Sequence, residues 1–174
     1  MSNAWLDSFF PAITDLNKQI WFQATVYPAL LFAYLYKYRK MGILYFFMCV
    51  LCVGLTDYTG NVFIKKTVNR ARPFATEGVQ AIQRSPAHGP SFISNHSANM
   101  FAFATYTSAF FPLVRPLVFL LALLIAFSRV YNGVHFPLDV LGGALWGVGF
   151  ALLFIRLSKK SAQKLKSSQM RSSS

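Results

Sequence analysis

The chain has 174 residues, of which 55% are hydrophobic, 17% aromatic and only 13% charged, with a formal net charge of +12. A soluble globular domain carries about a quarter charged residues, so this composition excludes an ordinary water-soluble fold and leaves room for one domain. The basic excess does not read as nucleic-acid binding. A reader of nucleic acid needs its cations on a water-facing surface, and here they flank long apolar runs, as expected for anionic lipid or phosphate.

In chain order, Trp5, Leu6, Phe9, Phe10 and Ile13 recur at roughly helical period and predict an amphipathic helix lying in the headgroup layer. Met1–Asp15 lacks a basic start and contains two aspartates, unlike a cleavable leader. A membrane span needs ~20 mostly apolar residues. Runs of that kind are predicted at about Ile20–Tyr36, Gly42–Ile64, Ala98–Phe111, Leu117–Phe127 and Pro137–Leu157. Cys49 and Cys52 fall inside the second run, Tyr45–Leu55, and read as small packing residues, since thiolate chemistry needs an accessible, electropositive site. A polar stretch, Lys65–Pro90, separates the second and third spans. The Lys/Ser-rich end, Ser158–Ser174, has no apolar period and predicts disorder. The expected architecture is therefore all-α: a polytopic bundle of about five spans plus an interfacial helix over 1–160, with a basic, disordered cytoplasmic tail at 161–174.

Basic residues set the orientation. With the tail inside, ten of the seventeen Lys/Arg are cytoplasmic and Lys18 precedes the first span. Lys65, Lys66, Arg70, Arg72, Arg84 and Arg129 then collect on the outer face, against the rule, and phosphate would explain them.

Three clusters lie at predicted boundaries on that face: Lys65-Lys66-Thr67-Val68-Asn69-Arg70-Ala71-Arg72-Pro73, Ser91-Phe92-Ile93-Ser94-Asn95-His96, and Ser128-Arg129 through Val134-His135-Phe136-Pro137-Leu138-Asp139. Pro137 suits the first turn of a helix, which brings Asp139 within reach of His135. A carboxylate accepting from one imidazole nitrogen leaves the other as a nucleophilic lone pair. Arg129 offers a planar fork of donors for phosphate oxygens. Ser94 and Asn95 stand at a helix start, where free N–H groups bind anions, and His96 can protonate a departing oxygen. Lys65 and Arg72 add the charge needed to neutralise a phosphoryl group.

Together these clusters resemble the signature of the type 2 phosphatidic acid phosphatase (PAP2) family, Lys-x6-Arg-Pro, Pro-Ser-Gly-His and Ser-Arg-x5-His-x3-Asp. Lys65, Arg72 and Pro73 match the first part, and Ser128, Arg129, His135 and Asp139 the third. In the second, Ser94 and His96 agree while Ile93 and Asn95 replace proline and glycine. The resemblance implies a multi-pass enzyme of the bacterial inner membrane with its site facing the periplasm. By the same resemblance, His135 attacks phosphorus to form a phosphohistidine, and His96 protonates the leaving group and then activates water. Asp139 orients His135, and Lys65, Arg72, Ser94, Asn95 and Arg129 hold the phosphate. No cofactor or metal is implied. The partners are the bilayer and a phosphorylated lipid, with no nucleic acid. The basic loop Lys66–Arg84 favours the 1-phosphate of lipid A over undecaprenyl diphosphate or phosphatidylglycerol phosphate. A non-catalytic lipid-binding or transport protein is the rival class, and it has no need of His135 or Asp139.

Other residues carry blander expectations. His88 reads as a solvated loop histidine, and Lys66, Arg70 and Arg84 as attractors of anionic headgroups. Asp57, an acid within a span, is expected to hydrogen-bond inside the bundle beside Tyr58 or Asn61. Gly143-x3-Gly147 is small-residue spacing for close helix packing.

Overall fold

The computed structural model describes residues 3–14, 16 and 19–172. Its helices are α1 (Ala4–Thr14), α2 (Ile20–Tyr38), α3 (Met41–Thr59), α4 (Asn95–Phe110), α5 (Arg115–Tyr131) and α6 (Pro137–Ser172), and there is no strand among the described residues. The helix α3 runs on through a π-helical turn, Gly60–Lys65, and a last turn, Lys66–Val68, that ends at left-handed Asn69. Prolines open the lower-numbered ends of two helices: Pro116 stands in the first turn of α5, and Pro137 begins α6. Proline fits there because its missing N–H would have no intrahelical partner.

Three stretches are long and apolar enough to cross a bilayer: Met41–Ala75, Pro112–Tyr131 and Pro137–Ser168. Trp21, Phe32, Phe47, Leu120 and Leu145 are each more than half exposed, forming apolar surface far beyond scattered single residues. The expected third span, α4, has a different character. It is only 16 residues long and carries Asn95, His96, Ser97, Asn99, Thr105, Thr107 and Ser108. It packs against α6, α5 and α3, so protein rather than lipid surrounds it. Ala98, Ala102 and Ala104 are fully buried there, and α6 meets them through Gly143 and Gly147, on which an added Cβ would lie 2.4 Å from the Ser94 carbonyl oxygen and 2.0 Å from that of Ala98. Backbones approach this closely only over small residues.

Away from the site, Tyr34, Phe46, Cys49, Cys52, Tyr106, Phe110 and Phe154 form the main core cluster. Both cysteines are buried free thiols.

The expected N-terminal helix forms as α1, and it is docked on the bundle. Phe10 packs on the rings of Phe127 and Tyr131. The Asp7 carboxylate accepts from the Tyr131 hydroxyl at 2.8 Å and pairs with Arg84 at 2.7 Å. The helix α5 continues past Phe127 to include Ser128 and Arg129, both buried. The tail departs from expectation: α6 is helical through Ser172, with Ser158 and Ala162 buried. Ala, Leu, Lys, Gln and Met are good helix formers, and a helix already nucleated in the bundle extends through them at little cost. Lys18 lies outside the described residues.

Candidate active site

Because α3, α4, α5 and α6 alternate in direction, the end of α3, the start of α4, the end of α5 and the start of α6 meet at one end of the bundle. Each sequence cluster sits at one of these ends. Lys65, Arg72, Asn95, His96, Arg129 and His135 line a single cavity of about 510 Å³, joined by Thr14, Asp57, Asn61, His88 and Asn99. Ser94 and Asp139 stand behind its wall, with the Ser94 N–H donating to the Asp139 carbonyl at 2.9 Å.

His135 sits in the short turn between α5 and α6 and is almost wholly buried. Its two nitrogens face different partners. Nδ1 is 3.7 Å from Asp139 Oδ2, one helical turn ahead. Nε2 is 3.4 Å from an Arg72 guanidinium nitrogen. The Nδ1 distance exceeds a formed hydrogen bond, so a shift of several tenths of an ångström closes it. Burial, assisted by the positive charges of Arg72, Arg129 and Lys65 and opposed by Asp139, pushes the imidazole pKa down to about 4. The ring is therefore neutral near pH 7 and keeps a lone pair available.

The orientation of Asp139 is over-determined. Its Oδ1 accepts from Arg70 at 2.9 Å and its Oδ2 from the Phe136 N–H at 2.8 Å. Arg70, which the sequence suggests as a headgroup attractor, thus also supports the residue that faces His135, and it stacks on the Phe136 ring. Gly133 makes this turn possible. Its φ is +69°, and an added Cβ would lie 2.4 Å from the Ile82 carbonyl oxygen, where the polar loop crosses beneath.

Arg72 is held by carbonyls. Nε donates to Gly89, one terminal nitrogen to Val134 at 2.8 Å, and the other to His88 and Pro90. This guanidinium staples the 88–90 loop to the turn carrying His135, and its Val134-bonded nitrogen faces the histidine. His88 belongs to the cavity wall as well as to the loop. The π-helical turn advances Lys65 into the cavity at the end of α3. Arg129, buried on α5, donates to the Thr14 hydroxyl at 2.9 Å. A contact 115 residues apart in sequence leaves no local signal, and α1 was expected only in the headgroup layer.

At the start of α4, Ser94 is the N-cap and makes no side-chain capping bond, so the first-turn N–H groups lack intrahelical partners, and Asn95 and His96 of that turn line the cavity. Both amide protons of Asn95 go to Asp57, at 2.9 Å to Oδ1 and 3.2 Å to its carbonyl. That leaves the Asn95 backbone N–H, rather than its side chain, for an anion. Arg84 is drawn into the Asp7–Tyr131 cluster and stacks on the Tyr131 ring. Among the described residues no three His, Cys, Asp or Glu side chains gather as a metal-ligand set. The assembly sets three histidines, His88, His96 and His135, and three cations around one chamber, an arrangement suited to neutralising a phosphoryl group while a nucleophile and a proton donor act on it.

The family model described as "PAP2 superfamily" matches residues 42–163. A lipid A 4'-phosphatase of Bacteroides thetaiotaomicron is 28% identical over 169 residues, covering 92% of this chain and 73% of that protein. Phosphatidylglycerophosphatase B of Bacillus subtilis is 31% identical over 166 residues, covering 87% and 73%. The crystal structure of Aquifex aeolicus LpxE superposes with a TM-score of 0.69 at 30% identity, covering 89% of this chain and 88% of that one. The chain belongs to the PAP2 superfamily, among its membrane lipid phosphatases, and is a bacterial membrane hydrolase.

Proposed function

We propose, from PAP2 membership and the geometry of the cavity, that this enzyme cleaves a lipid phosphate through a phosphohistidine on His135. The observation that carries the reading is the neutral, buried His135 ring set between Asp139 and Arg72 in a chamber that His96, Lys65 and Arg129 also line. The Nε2 lone pair forms the N–P bond as the P–O bond to the lipid breaks, and the lipid oxygen leaves with a proton from His96. Asp139 stabilises the positive charge that develops on the imidazole. In the second half, His96 takes a proton from water, whose oxygen attacks phosphorus. The N–P bond then breaks, releasing inorganic phosphate and restoring neutral His135. Lys65, Arg72, Arg129, the Ser94 hydroxyl and the Asn95 N–H carry the equatorial oxygens.

The substrate favoured is lipid A at its 1-phosphate. Support for lipid A comes from the basic segment beginning at Lys66, from the partly exposed Arg70, and from the similarity over 92% of this chain to a lipid A 4'-phosphatase, and the 1-phosphate is chosen over the 4'-phosphate on the basic segment alone. Phosphatidylglycerol phosphate is the second reading, favoured by the Bacillus relative, and undecaprenyl diphosphate the third. The site faces the periplasm across the inner membrane. The turn Lys37–Lys40, Arg115 and the C-terminal end of α6 lie at the opposite end of the bundle, as cytoplasmic basic residues should.

Phosphate release measured side by side on the three lipids tests the substrate, and equal rates on all three remove the preference for lipid A. His135→Ala tests the chemistry: turnover by that variant refutes the covalent route, and wild-type enzyme should yield an acid-labile phosphoprotein. Vanadate, which mimics five-coordinate phosphorus, should inhibit. A cysteine introduced at Lys66 should react with an impermeant maleimide from the periplasm, and one at Lys40 should not. The reverse pattern inverts the topology.

A further inference from the structure

Asp57 is the one acid well inside a span, and its carboxylate is committed to three asparagines. Oδ1 accepts from Asn95 and Asn99, each at 2.9 Å, and Oδ2 from Asn61 at 3.1 Å. Asn95 and Asn99 are four residues apart on α4 and share a face, Asn95 directly preceding His96 and Asn99 following it by about one turn. Among the described residues their buried Oδ1 atoms have no hydrogen-bond partner, and Asp57 is the group that orients these two amides. On α3, Gly60 leaves space for the arrangement: a Cβ there would lie 3.2 Å from Asn95 Oδ1. The other flank of the α4 start is tied to α6 by the Ser94 N–H on the Asp139 carbonyl and the Ser97 hydroxyl on that of Val140. The turn carrying His96 is thus gripped from both sides, and the α3 grip depends on a side chain at 95.

We propose that Asp57 is a positioning residue for His96, and that Asp57 and Asn95 work as a matched pair. A polar amide beside the histidine, at the position where the family signature has glycine, is held by a carboxylate reaching over from α3. Since Lys65 lies two turns beyond Asp57 on the same helix, the grip also sets the spacing between the proton donor and a phosphate-binding cation. The proposal rests on the reading of His96 as proton donor to the leaving group.

The test is a double-variant cycle on the full-length enzyme in detergent, with kcat and KM measured for lipid phosphate. Asp57→Ala should lower kcat on the order of 30- to 100-fold, as a displacement near 1 Å does, with KM changed less than about threefold. In the Asn95→Gly background, the same change should cost less than about fivefold relative to Asn95→Gly itself, because no buried amide then needs holding. Equal cost in both backgrounds overturns the pairing, as does a loss confined to KM. If Asp57→Ala fails to fold, Asp57→Asn takes its place in the cycle under the same criteria. A second arm separates this proposal from its premise. With p-nitrophenyl phosphate, whose leaving group needs no proton, the first-turnover burst should survive both His96→Ala and Asp57→Ala. If His96→Ala abolishes the burst, the proton-donor reading falls. If the burst survives His96→Ala but not Asp57→Ala, the positioning role falls alone.

Discussion

Replacing Gly147 by alanine should separate the two helices on which the active site is built. The added Cβ would stand 2.0 Å from the Ala98 carbonyl oxygen and 2.9 Å from the Ala102 nitrogen. Both are helix backbone, so no rotamer change relieves the clash. Carbon and oxygen come to rest at roughly 3.2–3.5 Å, and α4 and α6 must therefore part by about 1 Å. Overpacking of this kind costs ~1–3 kcal/mol, equivalent to a fall of about 2–10 °C in unfolding midpoint. The same displacement moves His96 on α4 relative to His135 and Asp139 at the start of α6, and a 1 Å error in catalytic geometry lowers turnover on the order of 100-fold. Gly143→Ala clashes one turn nearer the chemistry, 2.4 Å from the Ser94 carbonyl oxygen, and should lose activity at least as severely. Gly149 is the control. Nothing lies within 4 Å of an added Cβ there, and alanine should leave turnover within about twofold while adding up to ~1 kcal/mol of helix propensity. Thermal unfolding in detergent and phosphate release, measured on the three variants together, decide the matter. A Gly147→Ala enzyme matching Gly149→Ala in both would refute the close-contact account of the α4–α6 seam.

Other consequences follow from the site. Thr14→Val removes the hydroxyl that accepts from Arg129 while keeping side-chain volume; kcat/KM should fall about 5- to 20-fold, the cost of leaving a charged donor short of one hydrogen bond, and an unchanged value would make α1 a mere cover. Arg70→Met removes a hydrogen bond to Asp139 Oδ1 and should reduce kcat about tenfold with little change in KM; a KM effect alone would assign Arg70 to the headgroup instead. The His135 pKa, near 4 folded and ~6.5 unfolded, means that the unfolded chain binds more protons between those values. Stability linked to His135 is complete above about pH 6.5 and is lost as pH falls toward 4, at ~1.4 kcal/mol per unit. His135→Gln should therefore show a shallower loss of unfolding midpoint between pH 6.5 and 4.5 than wild type, and parallel curves would place the ring in water.

What the sequence carried, it carried through spacing. His135 and Asp139 fall one turn apart, Pro137 marks where that turn begins, and the four helix ends that bear chemistry share one side because the consecutive helices α3 to α6 alternate in direction. The residues that spacing missed are engaged across long separations. Arg129 meets Thr14 through the docking of α1, Arg84 meets Asp7, and Arg70 donates to Asp139 from 69 positions away. Periodicity also misjudged the tail, because α6 is carried to Ser172 by helix propensity rather than by an apolar face. The same distinction explains α4. A segment with seven polar residues is weak as a span, yet it is the helix the others surround, and its polarity is what the site requires. Asn95 is the sharpest instance. Read locally, it replaces a glycine beside His96 and crowds the approach of phosphate. In three dimensions its amide turns away to Asp57, in space left by Gly60, and the backbone N–H stays available to the anion. A departure from a motif is therefore judged by whether the opposite helix has changed to receive it, and here the receiving residues lie 35 and 38 positions earlier in the chain.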